Sequence, residues 1–245
     1  MMTVGSLFSG IGGMDLGLER AGMHVEWQVE IDEYARRVLA KHWPHVPKYR
    51  DITAIDWATV PRVDLLCGGF PCQDLSYAGK RAGLREGTRS GLWFEYLRAI
   101  RMLRPKYILV ENVPGLLVNH ALGRVLGDLA ESGYDAEWDC IPASAIGAPH
   151  RRDRVWVTAY PHEKLCKSIW VSNKITMEKL GNRWPAEKVS SFTQCLRNDC
   201  RTDRYSLRGD YGFPQAVDRI GAIGNALMPQ IAEVIGRMIL EADKA

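Results

Sequence analysis

The chain has 245 residues, 46% of them apolar and 25% charged, with a formal net charge of +3, which suits one large α/β domain or one domain with a small appendage. No apolar run approaches the length of a membrane span, and Met1-Met2-Thr3 leads straight into a strand rather than a signal peptide. Six cysteines are too sparse for a disulfide framework, so a reducing, intracellular home is expected.

Val4 to Phe8 reads as a short buried strand. Ser9-Gly10-Ile11-Gly12-Gly13 follows, and then a helix from about Met14 to Ala21. Strand, glycine loop and helix in that order make a nucleotide-type cofactor turn. The third glycine of the dinucleotide fingerprint would fall at Asp15. A carboxylate there favours helix formation but repels a pyrophosphate, so a cofactor without phosphates fits better. S-adenosylmethionine is one, and a glycine turn that simply packs is the alternative. Val25 to Val29 is a second strand, ending in Glu30, an acid placed to grip ribose hydroxyls. Asp32 caps a helix reaching about Lys41, and Asp51-Ile52 follows a short turn-rich stretch.

The next apolar run, Val63 to Cys67, breaks into Gly68-Gly69-Phe70-Pro71-Cys72. Ligand sites in open α/β sheets lie just past the carboxyl ends of strands. A thiol held there behind the stiff backbone of Pro71 suits a nucleophile. Cys67, inside the strand, reads instead as a small buried hydrophobe. The loop to Ser90 carries Lys80, Arg81, Arg85 and Arg89, separated by glycines. It is expected to close over a nucleic-acid backbone, against the alternative of a solvated surface loop.

A helix is predicted over about Gly91 to Leu103, its buried face marked by Leu92, Tyr96, Leu97, Ile100 and Leu103. Tyr107 to Val110 is another buried strand, delivering Glu111-Asn112-Val113-Pro114 to the same crevice as Cys72. A helix over Ala121 to Glu131 and a strand over Tyr134 to Ile141 come next. Arg152 and Arg154, two apart on a further strand, would share one face and need anionic or carbonyl partners.

From Pro161 to about Gly209 the periodicity dissolves. Between Pro161 and Asp210 there are ten Lys or Arg against six Asp or Glu, a local basic excess that suits a polyanion. Cys195 and Cys200, with Cys166 and His162 nearby, lack the tight paired spacing of a structural zinc site, so no metal is expected. Gly224-Asn225-Ala226-Leu227-Met228-Pro229 then opens a closing helix with Ile231, Val234, Ile235, Met238 and Ile239 as its apolar stripe.

Taken together, these stretches resemble the motifs of the DNA cytosine carbon-5 methyltransferases, in that family's order and spacing. Phe-Pro-Cys-Gln after Gly-Gly looks like its catalytic loop, Glu111-Asn112-Val113 like its base-holding motif, and Arg152-x-Arg154 like its arginine pair. His150 stands where the family has glutamine. The resemblance implies a doubly wound, mostly parallel α/β sheet of the S-adenosylmethionine-dependent methyltransferase type. It implies a catalytic domain over 1–160 and 216–245 and a short target-recognition region over 161–215. The cofactor set it implies is Phe8, Gly10, Gly12, Gly13, Glu30, Ile31, Asp51, Ile52, Pro71, Leu92 and Asn225, with S-adenosyl-L-homocysteine as the product left behind. Cys72 would be the nucleophile, Glu111 would hold ring nitrogen 3 and Arg154 the carbonyl oxygen, with Arg152 in support. Ser76, Lys80, Arg81, Arg85 and Arg89 would touch DNA.

The expected substrate is double-stranded DNA, methylated by a monomer in the cytoplasm or nucleoid of a bacterial or phage-infected cell. A cognate restriction endonuclease acting on the same site would be a natural partner. A transfer RNA cytosine methyltransferase shares this core and is the alternative within the class. A catalytically inactive DNA-binding protein is the alternative outside it, and a nicotinamide-dependent dehydrogenase is disfavoured by Asp15 and the missing glycine.

Overall fold

A computed structural model describes residues 1–71, 91–118, 121–148, 151–163 and 227–244. Within them a seven-stranded sheet forms from β1 (Thr3–Leu7), β2 (His24–Val29), β3 (Lys48–Tyr49), β4 (Leu65–Gly68), β5 (Tyr107–Asn112), β6 (Tyr134–Ile141) and β7 (Arg154–Pro161), in the order β3-β2-β1-β4-β5-β7-β6. Strands β1 to β5 pair in parallel, while β7 runs antiparallel between β5 and β6. The chain moves outward from β1 to β3, then returns to start again at β4. The order therefore reverses between β1 and β4, and the crevice past Leu7 and Gly68 is where such sheets bind ligands.

The helices are α1 (Gly13–Ala21), α2 (Glu33–His42), α3 (Leu92–Leu103), α4 (Ala121–Glu131) and α5 (Pro229–Asp243). Successive strand residues point to opposite faces, and both faces are covered. Leu7, Trp27, Leu66, Ile108 and Val110 pack with Trp93, Tyr96 and Ile100 of α3 and Val125 and Leu129 of α4. Val4, Val25, Leu65, Cys67 and Leu109 pack with Leu18 of α1 and Ile231, Ile235 and Ile239 of α5. Burial on both faces explains why these strands read as continuous apolar runs rather than alternating ones.

Local chemistry sets the ends. Asp32 caps α2, its carboxylate accepting from the Ala35 amide at 2.7 Å. Gly22, at φ 104°, closes α1, and the Met23 amide reaches back to the Leu18 carbonyl at 3.1 Å, the six-to-one bond of a Schellman cap. Helices α1 and α5 meet along a seam of glycines. A Cβ on Gly17 would lie 2.3 Å from the Pro229 carbonyl oxygen, and one on Gly13 would lie 2.7 Å from that of Leu227.

Three local expectations change. Strand β3 is only two residues long and carries a lysine, so it left no apolar signature. Strand β5 runs on through Glu111 and Asn112, which pair with Trp156 and Val155 of β7. Arg152 is not on a strand with Arg154: β7 begins at Arg154, and Arg152 takes a left-handed backbone with φ 36°. The shared-face argument for the two arginines therefore fails.

Asp15 also differs from expectation. Its carboxylate does not face the glycine loop's ligand side but is fully buried against the sheet. It accepts from Ser6 Oγ at 3.0 Å and from Gln28 Nε2 at 2.7 Å. Burial raises its pKa from 3.8 to about 6, against the opposing pull of these two hydrogen bonds. An acid whose pKa rises on folding supports the fold most below its unfolded pKa, and that support is lost as pH rises through the folded value. The loss by neutral pH is about 3 kcal/mol. Asp15→Asn is thus expected to be more stable than wild type at neutral pH, with the gain vanishing towards pH 4; denaturant titrations across that range measure it.

Candidate active site

The carboxyl ends of β1, β2, β4 and β5 surround a cavity of about 590 Å³. Its floor is the loop between β1 and α1. Phe8 and Gly10 there both take left-handed backbones, with φ 53° and 55°, a conformation that costs a phenylalanine about 1–2 kcal/mol. The loop is held in this shape by its own bonds. The Ser9 amide donates to the Val29 carbonyl at 3.0 Å, and the Gly12 amide to the Ser9 carbonyl at 2.9 Å. Ser9 Oγ bonds the Ser6 hydroxyl at 2.9 Å.

Glu30, at the end of β2, clamps this loop. Its carboxylate accepts from the Gly10 amide at 2.7 Å and from the Asp32 amide at 2.8 Å. Each oxygen keeps lone-pair capacity for further donors. Asp51 caps the short turn Ile52–Ala54 through the Thr53 amide and hydroxyl, which lower its pKa. Ile31 stands at the cavity's edge and is 64% exposed, an unusual state for an isoleucine and one that suits stacking on a flat apolar group.

The opposite wall carries Gly69, Phe70, Pro71, Glu111, Asn112 and Arg154. Arg154 Nε lies 2.8 Å from Glu111 Oε1, with both side chains largely shielded from solvent. Burial raises the Glu111 pKa, while the charges of Arg154 and Arg152 pull it back. The carboxyl therefore holds a proton more readily than an ordinary glutamate. Arg152 is close enough to be felt but does not line the cavity.

Asn112 ties the two strand ends together. Its Nδ2 donates to the Phe70 carbonyl at 3.2 Å, and its Oδ1 accepts from the Val113 amide at 2.8 Å. Gly69 leaves room for the acid: a Cβ there would sit 2.7 Å from Glu111 Oε2. Neither role was visible in the sequence beyond a glycine pair and an asparagine beside a glutamate.

Of the expected site residues, Phe8, Gly10, Gly13, Glu30, Ile31, Asp51, Ile52, Pro71, Leu92, Glu111 and Arg154 all line this one cavity. Gly12 does not; a Cβ on it would strike the Trp43 ring at 2.4 Å, so its role is to let α2 approach α1. Cys72, Ser76, Lys80, Arg81, Arg85, Arg89, His150 and Asn225 lie outside the described residues, as do Cys166, Cys195 and Cys200. Their neighbours on the chain are informative: Pro71 and Leu227 are both on the cavity wall. His162 is bonded to Asp135 at 2.9 Å, and neither residue lines the cavity. Cys67 is buried, and burial pushes its thiol pKa well up, which makes it inert.

Among the described residues, Glu30, Asp32, Asp51 and Glu111 bring four carboxylates to the cavity, against Arg50 and Arg154. That balance rejects a pyrophosphate and accepts a cationic ligand. The residues present therefore fit S-adenosylmethionine, with Glu30 offering acceptors to a ribose, Ile31 a face for an adenine, and the Gly10 loop a bed for the amino-acid tail.

No helix among the described residues is long and apolar enough to cross a membrane. Comparison with known proteins gives a consistent picture. The sequence profile of the C-5 cytosine-specific DNA methylase family matches residues 2–211. The Type II methyltransferase M2.BsuMI of Bacillus subtilis (strain 168) is 42% identical over 165 residues, covering 64% of this chain and 42% of that protein. The orphan methyltransferase M.Rho11sI of Bacillus phage rho11s is 35% identical over 183 residues, covering 71% and 36%. The chain thus spans about two fifths of the length of such relatives. Among solved structures, a prophage-encoded E. coli chain aligns over the whole of both proteins with a TM-score of 0.68 at 18% identity. S. pombe Dnmt2 aligns over 66% of this chain and 50% of its own, with a TM-score of 0.55 at 23% identity. These two show a shared fold.

Proposed function

Because the chain belongs to the C-5 cytosine-specific DNA methylase family, we propose that it transfers a methyl group to carbon 5 of a cytosine extruded from duplex DNA. One observation carries this reading. The ion-paired Glu111 and Arg154 share a cavity with the Gly10 loop and with Pro71, the residue next to Cys72. An acid, a guanidinium and a thiol can thereby converge on one pyrimidine.

S-adenosylmethionine, when bound, supplies an electrophilic methyl. The chain's own residues prepare the base. Carbon 5 of cytosine is a poor nucleophile until a thiolate adds to carbon 6. Cys72 makes that bond, and its electron pair runs into the ring. Glu111 holds the proton at nitrogen 3 as charge builds there, and Arg154 steadies the carbonyl oxygen. Carbon 5, made nucleophilic in this way, would take the methyl, and loss of its proton to a base such as water then expels Cys72 as a thiolate and restores the ring. Carbon 6 is unreachable in a stacked duplex, so the base must swing out at a cost of a few kcal/mol. Ser76, Lys80, Arg81, Arg85 and Arg89, with the basic region 161–215, would offset that through backbone contacts. The catalytic unit is assigned to 1–160 and 216–245, acting as a monomer. Protection of host or phage DNA against an endonuclease of the same specificity is the corresponding role.

Bisulfite sequencing of duplex DNA from cells expressing the chain tests the reading. Cytosines protected from conversion at one recurrent sequence are expected. Unmodified DNA together with methylated transfer RNA would overturn the choice of substrate, and neither product would overturn the activity. Gly69→Ala tests the geometry. The added Cβ forces the Glu111 carboxylate to move, and turnover is expected to drop about 10²-fold with cofactor affinity retained. Single-turnover methylation against a cofactor titration measures both.

A further inference from the structure

We propose that Asp15 provides a negative charge beneath the cofactor loop that selects the cationic methyl donor over its neutral product; the inference rests on the S-adenosylmethionine reading above. Asp15 does not line the cavity. It lies behind Ser6, whose hydroxyl donates to it at 3.0 Å, and Ser6 takes a second bond from Ser9 at 2.9 Å. Both serines line the cavity, as do Gly13 and Met14, the residues just before Asp15 on α1. The carboxylate is thus one side chain removed from the ligand.

Its two side-chain hydrogen bonds come from neutral donors, Ser6 and Gln28. Groups on the surrounding elements leave the charge in place. Glu19, on the same helix, adds to it. Lys48 of β3 feels it, but the Lys48 ammonium is bonded to the carbonyl oxygens of Trp43 and Val46. Glu26 of β2 is half-exposed and lies 3.8 Å from the His24 imidazole. Cys67 of β4 is a thiol held protonated by burial and by Asp15 itself. Glu233 and Arg237 of α5, which packs on α1, are ion-paired at 2.8 Å. Among the described residues no cation is bonded to this carboxylate, and a charge behind a low-dielectric wall projects its field across that wall.

Donor and product share every group except the methyl on sulfur and the positive charge it brings. The field of an ionised Asp15 therefore acts on the difference between them. Its pKa of about 6 means the field is present at neutral pH and fades in mild acid. A bound cation pulls that raised pKa back down, so tighter donor binding and Asp15 ionisation reinforce each other.

Calorimetric titrations of the full chain test this. The probes are S-adenosylmethionine, S-adenosylhomocysteine and an analogue bearing an ammonium in place of the sulfonium. In wild type, the ratio of cation to neutral affinity is expected to fall about fivefold between pH 7.5 and pH 5. Asp15→Asn should show the low ratio at both pH values. Glu111 also faces the cavity with a raised pKa, so the series is repeated in Glu111→Gln, which must keep the pH dependence. The wild-type and Glu111→Gln arms stand even without the Asp15 variant. Binding of all three ligands with a flat ratio, or a wild-type ratio in Asp15→Asn, overturns the role of Asp15 and leaves the cofactor reading intact. Failure of every ligand to bind overturns both.

Discussion

Glu111→Gln should bind cofactor as wild type does and lose about 10²–10⁴-fold in turnover. The glutamine fills the same space, and its oxygen can still accept from Arg154 Nε, which now lies 2.8 Å from the carboxylate. What disappears is the proton that a buried carboxyl can hold against ring nitrogen 3. Because burial raises the Glu111 pKa, the protonated acid is present below that value and is lost as pH rises through it. Wild-type turnover should therefore show a falling limb on the alkaline side that the glutamine variant lacks. Single-turnover methylation across pH, beside a cofactor titration, measures both halves. A variant with full turnover would remove the acid from the chemistry. One that no longer binds cofactor would show that Glu111 supports the cavity instead.

Cys72→Ser should abolish methyl transfer and, with it, the covalent complex formed on duplexes containing 5-fluorocytosine. Fluorine at carbon 5 cannot leave as a proton does, so the sulfur bond to carbon 6 persists and survives denaturing electrophoresis. An alcohol is far less ionised than a thiol of pKa about 8.5 and cannot replace it. The experiment carries an internal control in Cys67, one strand residue away from the glycine pair. That thiol is buried and held protonated, so Cys67→Ala should trap normally at a stability cost of about 1 kcal/mol. Trapping that survives Cys72→Ser would refute the nucleophile assignment. Trapping lost in Cys67→Ala with the fold intact would redirect it.

Most of the sheet could be read from the chain because strands buried on both faces write themselves as unbroken apolar runs. Leu65 to Cys67 and Tyr107 to Val110 are such runs, and Gly69 and Glu111, just past their ends, line the cavity. Other features were legible only in part. Strand β3 has two residues and pairs through its backbone, so its side chains say little. The left-handed turn at Arg152 depends on how the chain enters β7, which no periodicity encodes. Asp15 was readable in hindsight: it lies three residues before Leu18, on the buried stripe that also holds Met14. An acid in a helix's first turn is usually read against the dipole, and here the burial of its face outweighs that. Gly69 and Asn112 acquire their roles from a strand some forty residues away, through contacts that only the assembled sheet creates.

The seam between α1 and α5 has a consequence for the timing of biosynthesis. Leu227 completes the cavity wall against Gly13, so the first cofactor loop waits for a partner made more than two hundred residues later. A ribosome-bound chain that has emerged only through β7 has the floor and Glu111 but lacks this wall. Tight cofactor capture is then expected only after Leu227 has also left the exit tunnel. A truncated translation product would be poorly placed to sequester the methyl donor or to modify DNA before the rest of the polypeptide exists.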